Sequence, residues 1–456
     1  MDAVLLARIQ FALTIMFHYI FPPLTIGLGW MIFMYNTRYQ ENGNPIFRQL
    51  AQFWTKIFAI SFIVGVATGI VMEFQFGTNW AGYSRFVGDI FGAPLAAEGV
   101  FAFFLESSFL GILLYGRKRV SQKMYWFSSF MVALGATMSA FWIVVANSWQ
   151  QTPAGFEVVS ETVNGVEIQK AVLTNFWEAV FNPSTLPRYS HVITGALTVG
   201  VFFILGTSAW QILKGRNVEF FRNSMRTAII PCFAVIMLTM FVGHKHGHQV
   251  AETQPAKLAA FEGIWETGPN APLMLFGLPD QEGEKNHFAI QVPGMVSLMV
   301  GGRFDTEIQG LKDFPKEDRP PVAISFWSFH LMFYMGMWMA FVAFVGVIFW
   351  LNKKLLDHTL YLKICAFTVP IPFLANEVGW VAAEVGRQPW VVYNLLRTKD
   401  AVSQSVPAGQ VLASIIMFSL IYALLFGLWI YLLKNQFGKG PDSIESLETE
   451  VHHADA

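Results

Sequence analysis

The chain has 456 residues, of which 54% are hydrophobic and only 13% charged. A soluble domain carries roughly 25% charged residues, so a water-filled surroundings for most of this chain is excluded. A formal net charge of −1 gives no basic surface to neutralise phosphates, and no nucleic-acid partner is expected.

A bilayer core about 30 Å thick is crossed by about 20 mostly apolar helical residues. Nine stretches qualify, at about 11–36, 52–76, 94–115, 125–147, 190–213, 225–243, 324–351, 360–385 and 409–433. None alternates apolar and polar residues as the strands of a membrane barrel do. The expected fold is therefore all-α: a polytopic bundle of about nine transmembrane helices in a lipid bilayer. Positive residues in short connections mark the cytoplasmic side. They follow the odd spans: Arg38 and Arg48; Arg117, Lys118, Arg119 and Lys123; Lys214, Arg216, Arg222 and Arg226; Lys353 and Lys354; Lys434 and Lys439. This places the N-terminus outside and the C-terminus in the cytoplasm. The expected division is 1–243 for spans one to six, 244–323 for an external loop, 324–437 for spans seven to nine, and 438–456 for an acidic cytoplasmic tail.

The first span carries His18 and, in mid-membrane, Pro22-Pro23, and it is too long for a cleavable signal. The third carries Glu98 and Glu106. Eight residues advance about 12 Å along a helix and about 80° around it, so the two carboxylates share a side. Staggered intramembrane carboxylates suit a proton relay, or else are structurally paired. Asp89, just before this span, reads as a cap or turn residue. The excursion at about 148–189 contains a β-like stretch, Phe156-Glu157-Val158-Val159, with Gly155 and Gly165. His191 opens the fifth span. Cys232 and Cys365 lie in apolar spans and read as small core residues. The tract Gly243-His244-Lys245-His246-Gly247-His248 is either a surface metal site or a solvated junction where the loop leaves the membrane. The loop at about 244–323, rich in Pro, Gly and charged residues, is long enough to be functional or disordered.

His330 and Met332 lie in the seventh span. In the eighth, Glu377, Trp380, Glu384 and Arg387 fall within about 80° of one another at about 100° per residue. Ionisable groups within a membrane helix are costly and usually face the bundle interior with a function. Each intramembrane histidine is either a metal ligand or a hydrogen-bonded core residue. Haem iron accepts His, Met, Cys or Tyr axially, and the chain offers single candidates on different spans. It lacks the paired histidines, about 13 residues apart on two helices, of a bc-type cytochrome b, and it has too few for a haem–copper centre. There is no CxxCH. A proton-coupled transporter with buried carboxylates and no haem is the competing reading, although no inverted repeat is evident.

Several motifs carry a closer resemblance. Met72-Glu73-Phe74-Gln75-Phe76-Gly77-Thr78-Asn79-Trp80, Gly88 to Glu98, Phe103-Phe104-Leu105-Glu106-Ser107 and Gly386-Arg387-Gln388-Pro389-Trp390 resemble signatures of subunit I of cytochrome bd-type quinol oxidases. The resemblance runs from Arg8-Ile9-Gln10-Phe11-Ala12 to beyond Trp390, nearly the whole membrane part. It implies a haem subunit of a terminal respiratory oxidase in the bacterial cytoplasmic (inner) membrane. Such an enzyme oxidises quinol at the outer face and reduces O2 to water with cytoplasmic protons, making a proton motive force without pumping. It further implies His191 and Met332 as the axial pair of a low-spin haem b. His18 and Glu384 would be ligands of a second, high-spin haem b and of haem d or a further haem b, with the allocation between them open. Glu98 is implied near these haems and Glu106 in proton delivery. Arg8, Glu377, Trp380, Arg387 and Trp390 are expected around the haems, and Lys257 and Glu262 as the quinol-interacting pair. Subunit II is the implied partner, with small single-span accessory subunits in some complexes. The chain departs from the pattern in two places. Its loop is of the short type, and His330 stands where an arginine is common. Residues two apart point about 200° apart on a helix, which puts Met332 ahead of His330 and Met335 as the ligand.

Overall fold

The computed structural model describes residues 2–163 and 166–444. Among these, nine helical segments are long and apolar enough to cross a membrane, as expected from hydropathy. The protein is a multi-pass membrane protein. Gly165 and the tail beyond Ile444 lie outside the described residues.

The first crossing is two helices, α1 (Ala3–Tyr19) and α2 (Phe21–Asn42). The junction falls at Ile20 because Pro22 and Pro23 supply no amide protons to carry the hydrogen-bond ladder across it. Helix α3 spans Pro45–Thr78, with Asn44 accepting from Ile46 N at its start. The third crossing is composite: α4 (Ala81–Ala97), six residues of π-helix (Glu98–Phe103) and α5 (Phe104–Tyr115). Pro94 disrupts the ladder just ahead of the π segment, and such segments recur at functional sites. Helix α6 (Gln122–Gln151) is capped by Ser121.

The excursion after α6 forms an antiparallel hairpin, β1 (Phe156–Val163) with β2 (Val166–Leu173), and a short helix α7 (Phe176–Val180). Asp89 is not a cap or turn residue. It lies inside α4, and its Oδ2 accepts from Leu173 N at 2.8 Å, tying the hairpin to the bundle. The helix starts at Ala81, before the apolar run begins.

Two long helices follow, α8 (Thr185–Leu213) and α9 (Val218–Thr253). Helix α9 therefore continues past 244 to Thr253. Hydropathy marks where side chains turn polar, whereas the helix ladder continues through the histidine tract. The loop is ordered: α10 (Pro255–Glu262), a hairpin of β3 (Leu273–Asp280) with β4 (Lys285–Val292), and α11 (Met295–Gly301). Helix α12 (Val322–Leu351) forms the seventh crossing. The eighth is again broken, into α13 (Thr359–Thr368) and α14 (Ile371–Val385), at Pro370 and Pro372. A small pair of strands, β5 (Trp390–Val392) and β6 (Leu396–Arg397), and a single turn α15 (Thr398–Ala401) precede the last crossing, α16 (Ala408–Lys439).

The main core lies where α2, α3, α8 and α9 meet, around Phe21, Leu24, Trp54, Phe58, Phe202 and Phe221. Its indole is satisfied: Trp54 Nε1 donates to Ser224 Oγ at 3.2 Å. Helices α2 and α8 cross backbone to backbone at Gly27 and Gly200, where a Cβ on Gly27 would stand 2.6 Å from Gly200 Cα. Small residues permit such close approach between membrane helices. Gly200→Val must force this crossing apart and is expected to cost about 3 kcal/mol or more, the upper range for overpacking. Thermal unfolding of the detergent-solubilised protein checks this; an unchanged midpoint would show that the crossing does not constrain the bundle.

Candidate functional site

Glu384, on the last turn of α14, is the point at which three helices and the loop meet. Arg387 donates to its Oε2. Asn147 and Gln151, one turn apart at the end of α6, each donate to its Oε1 at 3.2 Å. Arg188 of α8 lies 3.7 Å from the same oxygen, also donates to Asn147 Oδ1, and sits 5.4 Å from the Trp380 ring centroid. Arg188 and Arg387 are both 4% exposed. Two buried cations thus share one carboxylate, and several of their N–H groups are unfilled: Arg188 Nε and Arg387 Nε and Nη1 are buried without partners. Such donors suit a further anionic group.

Gln151 carries the network into the loop. Its Oε1 accepts from Lys257 Nζ at 2.5 Å, and its backbone oxygen accepts from Gln254 Nε2 at 2.7 Å. Lys257 lies against Gly386, where a Cβ would come 2.9 Å from its Cγ. Burial, with Arg188 and Arg387 adding to it, holds the Lys257 ammonium well below the usual lysine range. Glu262, five residues later on α10, is also buried, and burial pushes its carboxyl up to about 8 against an opposing hydrogen bond from the Met274 backbone. The two do not touch. Lys257 faces Gln151 and Glu262 faces β3, because five residues turn a helix by about 140°.

Each histidine or methionine singled out as an axial ligand rests on a glycine of a neighbouring helix. A Cβ on Gly69 of α3 would lie 3.1 Å from His18 Cε1, on Gly243 of α9 2.9 Å from His191 Cε1, and on Gly379 of α14 2.9 Å from Met332 Sδ. His18 Nδ1 lies 3.0 Å from Thr68 Oγ1, whose single proton is directed to the carbonyls of Val64 and Gly65. In that arrangement the histidine donates from Nδ1 and presents the Nε2 lone pair, the tautomer a metal ligand needs. His191 Nδ1 is buried without a partner, and His246 stands with its ring 5.8 Å from that of His191. His330 is not available as a ligand: its Nδ1 faces Phe326 O at 2.9 Å and its Nε2 faces Met274 O at 2.6 Å.

On the third crossing, Ser139 of α6 donates to Glu98 Oε1 at 2.7 Å. Glu106 is buried against Gly135, one turn earlier on α6. The π segment between the carboxylates changes their helical offset, and both end on the same face of α6.

The remaining predicted residues are placed differently. Tyr19, next to His18, meets Trp380 edge-on at 5.5 Å, which links the first and eighth crossings. Glu377 is half-buried with Oε2 unpartnered. Trp390 lies beneath Arg397, whose guanidinium is 4.6 Å from the ring centroid. Arg8 is exposed, and among the described residues no hydrogen bond or ion pair joins it to the cluster. Sequence reasoning missed Arg188, Asn147, Gln151 and Thr68 as site residues. The signals were present: Arg188 is three residues before His191, and Asn147 and Gln151 are polar positions four apart closing an apolar helix. Among the described residues, no three His, Cys, Asp or Glu side chains gather to hold a lone metal ion.

The family model for cytochrome bd terminal oxidase subunit I matches residues 6–441. The chain belongs to this family. This bd-type subunit I is 40% identical to cytochrome bd ubiquinol oxidase subunit 1 of Bacillus subtilis, with 99% of each chain covered. It is 33% identical to the bd-II ubiquinol oxidase subunit 1 of Escherichia coli, with 98% of each covered. Its fold matches the bd oxidase structure from Geobacillus thermodenitrificans with a TM-score of 0.88 and 30% identity, over 96% of this chain and 99% of that one. Membership of a terminal oxidase family decides against the transporter reading. It also implies haem, and the donors present fit one: glycine-backed axial candidates, a metal-ready His18, an unpartnered His191 nitrogen and unfilled arginine N–H groups.

Glu384→Ala in the bd-type subunit I would leave Arg188 and Arg387 buried without their carboxylate. Removing one partner from such a group costs about 3–5 kcal/mol, and thermal unfolding should register it. A loss well under 1 kcal/mol would mean that water already screens the two arginines.

Proposed function

We propose that this subunit oxidises quinol at its loop end and reduces O2 to water with protons drawn from the opposite side of a bacterial inner membrane, in complex with a subunit II. The observation that carries this reading is the unbroken polar connection from Lys257 through Gln151 to Glu384, beside His191 and Met332. It joins one of the two expected quinol residues, Lys257, to the expected haem cluster.

His191 and Met332 would hold a low-spin haem b. His18 and Glu384 would serve a second, high-spin haem b and a haem d or further haem b. When bound, these groups supply one-electron transfer and an iron position at which oxygen can be reduced. Arg188 and Arg387 offer N–H donors for haem carboxylates, and Thr68 fixes the His18 tautomer. Small single-span accessory subunits are a further expected element of the complex.

The chain's own residues then manage protons. Quinol gives up two protons with its two electrons, and Glu262 and Lys257 flank the loop's inner surface as acceptor and donor. Glu98, paired with Ser139, and Glu106, against Gly135, face the same side of α6 from the third crossing and are suited to bringing protons in from the cytoplasmic side. Four electrons and four protons convert O2 to two waters. Taking protons from one side and releasing them on the other separates charge without a pump, given an N-terminus outside and a C-terminus in the cytoplasm.

The deciding experiment is quinol-driven oxygen consumption by the purified complex, with a reduced-minus-oxidised visible spectrum alongside. Haem signals with quinol-dependent turnover would support the reading, whereas a colourless protein would overturn it. Met332→Leu should remove the low-spin haem signal and leave the fold intact; an unchanged spectrum would reassign that ligand. Glu106→Gln should slow oxygen reduction more than it affects haem content, and normal turnover would take it out of the proton line. Glu262 accepts a proton only as a carboxylate, so quinol oxidation should rise as pH passes upward through about 8. Glu262→Gln should flatten that limb of the profile; persistence of the limb would assign it to another group.

A further inference from the structure

The histidine tract has a feature that neither haem nor quinol chemistry uses. His244 and His248 are one turn apart on α9, and their Nε2 atoms approach to 3.1 Å. The rings stand at 89° to each other with centroids 4.6 Å apart, and His244 is exposed. His246 points away from them, toward His191.

We propose that His244 and His248 chelate a divalent transition-metal ion, Cu2+ or Zn2+, at the loop end of α9. Histidines at i and i+4 on one helical face are a recurrent metal-binding pair. With metal–nitrogen bonds of about 2.0–2.1 Å, a 3.1 Å separation corresponds to an N–metal–N angle of about 98°. That value lies between the square-planar and tetrahedral angles of about 90° and 109°, so both ligands are positioned before the ion arrives. The backbone beneath them is held as well: Gln249 Nε2, on the next residue, donates to Ser184 Oγ at 2.9 Å and to Thr253 Oγ1 at 2.7 Å. Among the described residues no third His, Cys, Asp or Glu completes the group, so water fills the remaining positions and binding is reversible. Two imidazoles select Cu2+ over Zn2+ and both over Mg2+ or Ca2+, which prefer oxygen ligands.

The test is equilibrium binding of Zn2+ to the purified complex, comparing the unsubstituted protein with His244→Ala, His248→Ala and, as a control, His287→Ala. One saturable site should be lost in the first two variants and kept in the third, where Asp280 rather than a second histidine is the neighbour. Cu2+ should displace Zn2+, and excess Mg2+ should not. Unchanged Zn2+ affinity in either His244→Ala or His248→Ala would overturn the proposal, as would equal loss in His287→Ala. Pulsed electron paramagnetic resonance of Cu2+ on the unsubstituted protein gives an answer independent of any variant's folding. Coupling to two imidazole nitrogens is expected, and coupling to none or one would overturn the site. None of these readouts depends on oxidase turnover, so they stand or fall apart from the proposed function.

Discussion

Everything at the centre of this protein depends on one carboxylate shared between two buried arginines. Glu384 receives Arg387 from its own chain segment, Arg188 from α8, and the amides of Asn147 and Gln151 from α6. In a low-dielectric interior an unpaired guanidinium is far more costly than in water, and a half-satisfied network is worse than an apolar core. The end of α6, the middle of the α8 entry and the end of α14 are thereby fixed relative to one another. The loop is fixed to them as well, because the Gln151 amide oxygen accepts from Lys257 while its nitrogen donates to Glu384.

Three of the crossings that carry candidate site residues are broken. Pro22 and Pro23 interrupt the first crossing within one turn of His18. Pro94 precedes the π segment that begins at Glu98. Pro370 and Pro372 divide the eighth crossing ahead of Glu377, Trp380 and Glu384. A break in a membrane helix frees backbone groups and is tolerated where other parts of the protein enclose them. It also lets a crossing change direction, so that side chains on its two halves need not follow one helical period. Glu98 and Glu106 illustrate this, meeting Ser139 and Gly135 only one turn apart on α6.

Glycines do the complementary work. Gly27 and Gly200 draw α2 and α8 into backbone contact, while Gly69, Gly243 and Gly379 leave their neighbours room for His18, His191 and Met332. A side chain at any of these three would occupy the space next to a candidate ligand. The same scaffold that packs the core tightly therefore seats these three side chains against bare backbone.

The sequence by itself determined the membrane character and the nine crossings, because hydropathy is a local property. Of the predicted stripe, Glu377, Trp380 and Glu384 lie on α14, and Arg387, past the helix end, reaches back to Glu384. The sequence could not reveal that Arg188, 196 residues before Glu384 in the chain, completes the ion pair, or that Gln151 bridges Glu384 to Lys257. It ended the sixth crossing at the histidine tract, where polarity changes, although the helix ladder runs on to Thr253. It made Asp89 a turn residue when it lies inside a helix and holds a hairpin. These were decided by tertiary structure, since a buried polar group is defined by the partner that satisfies it, and that partner lies on another helix.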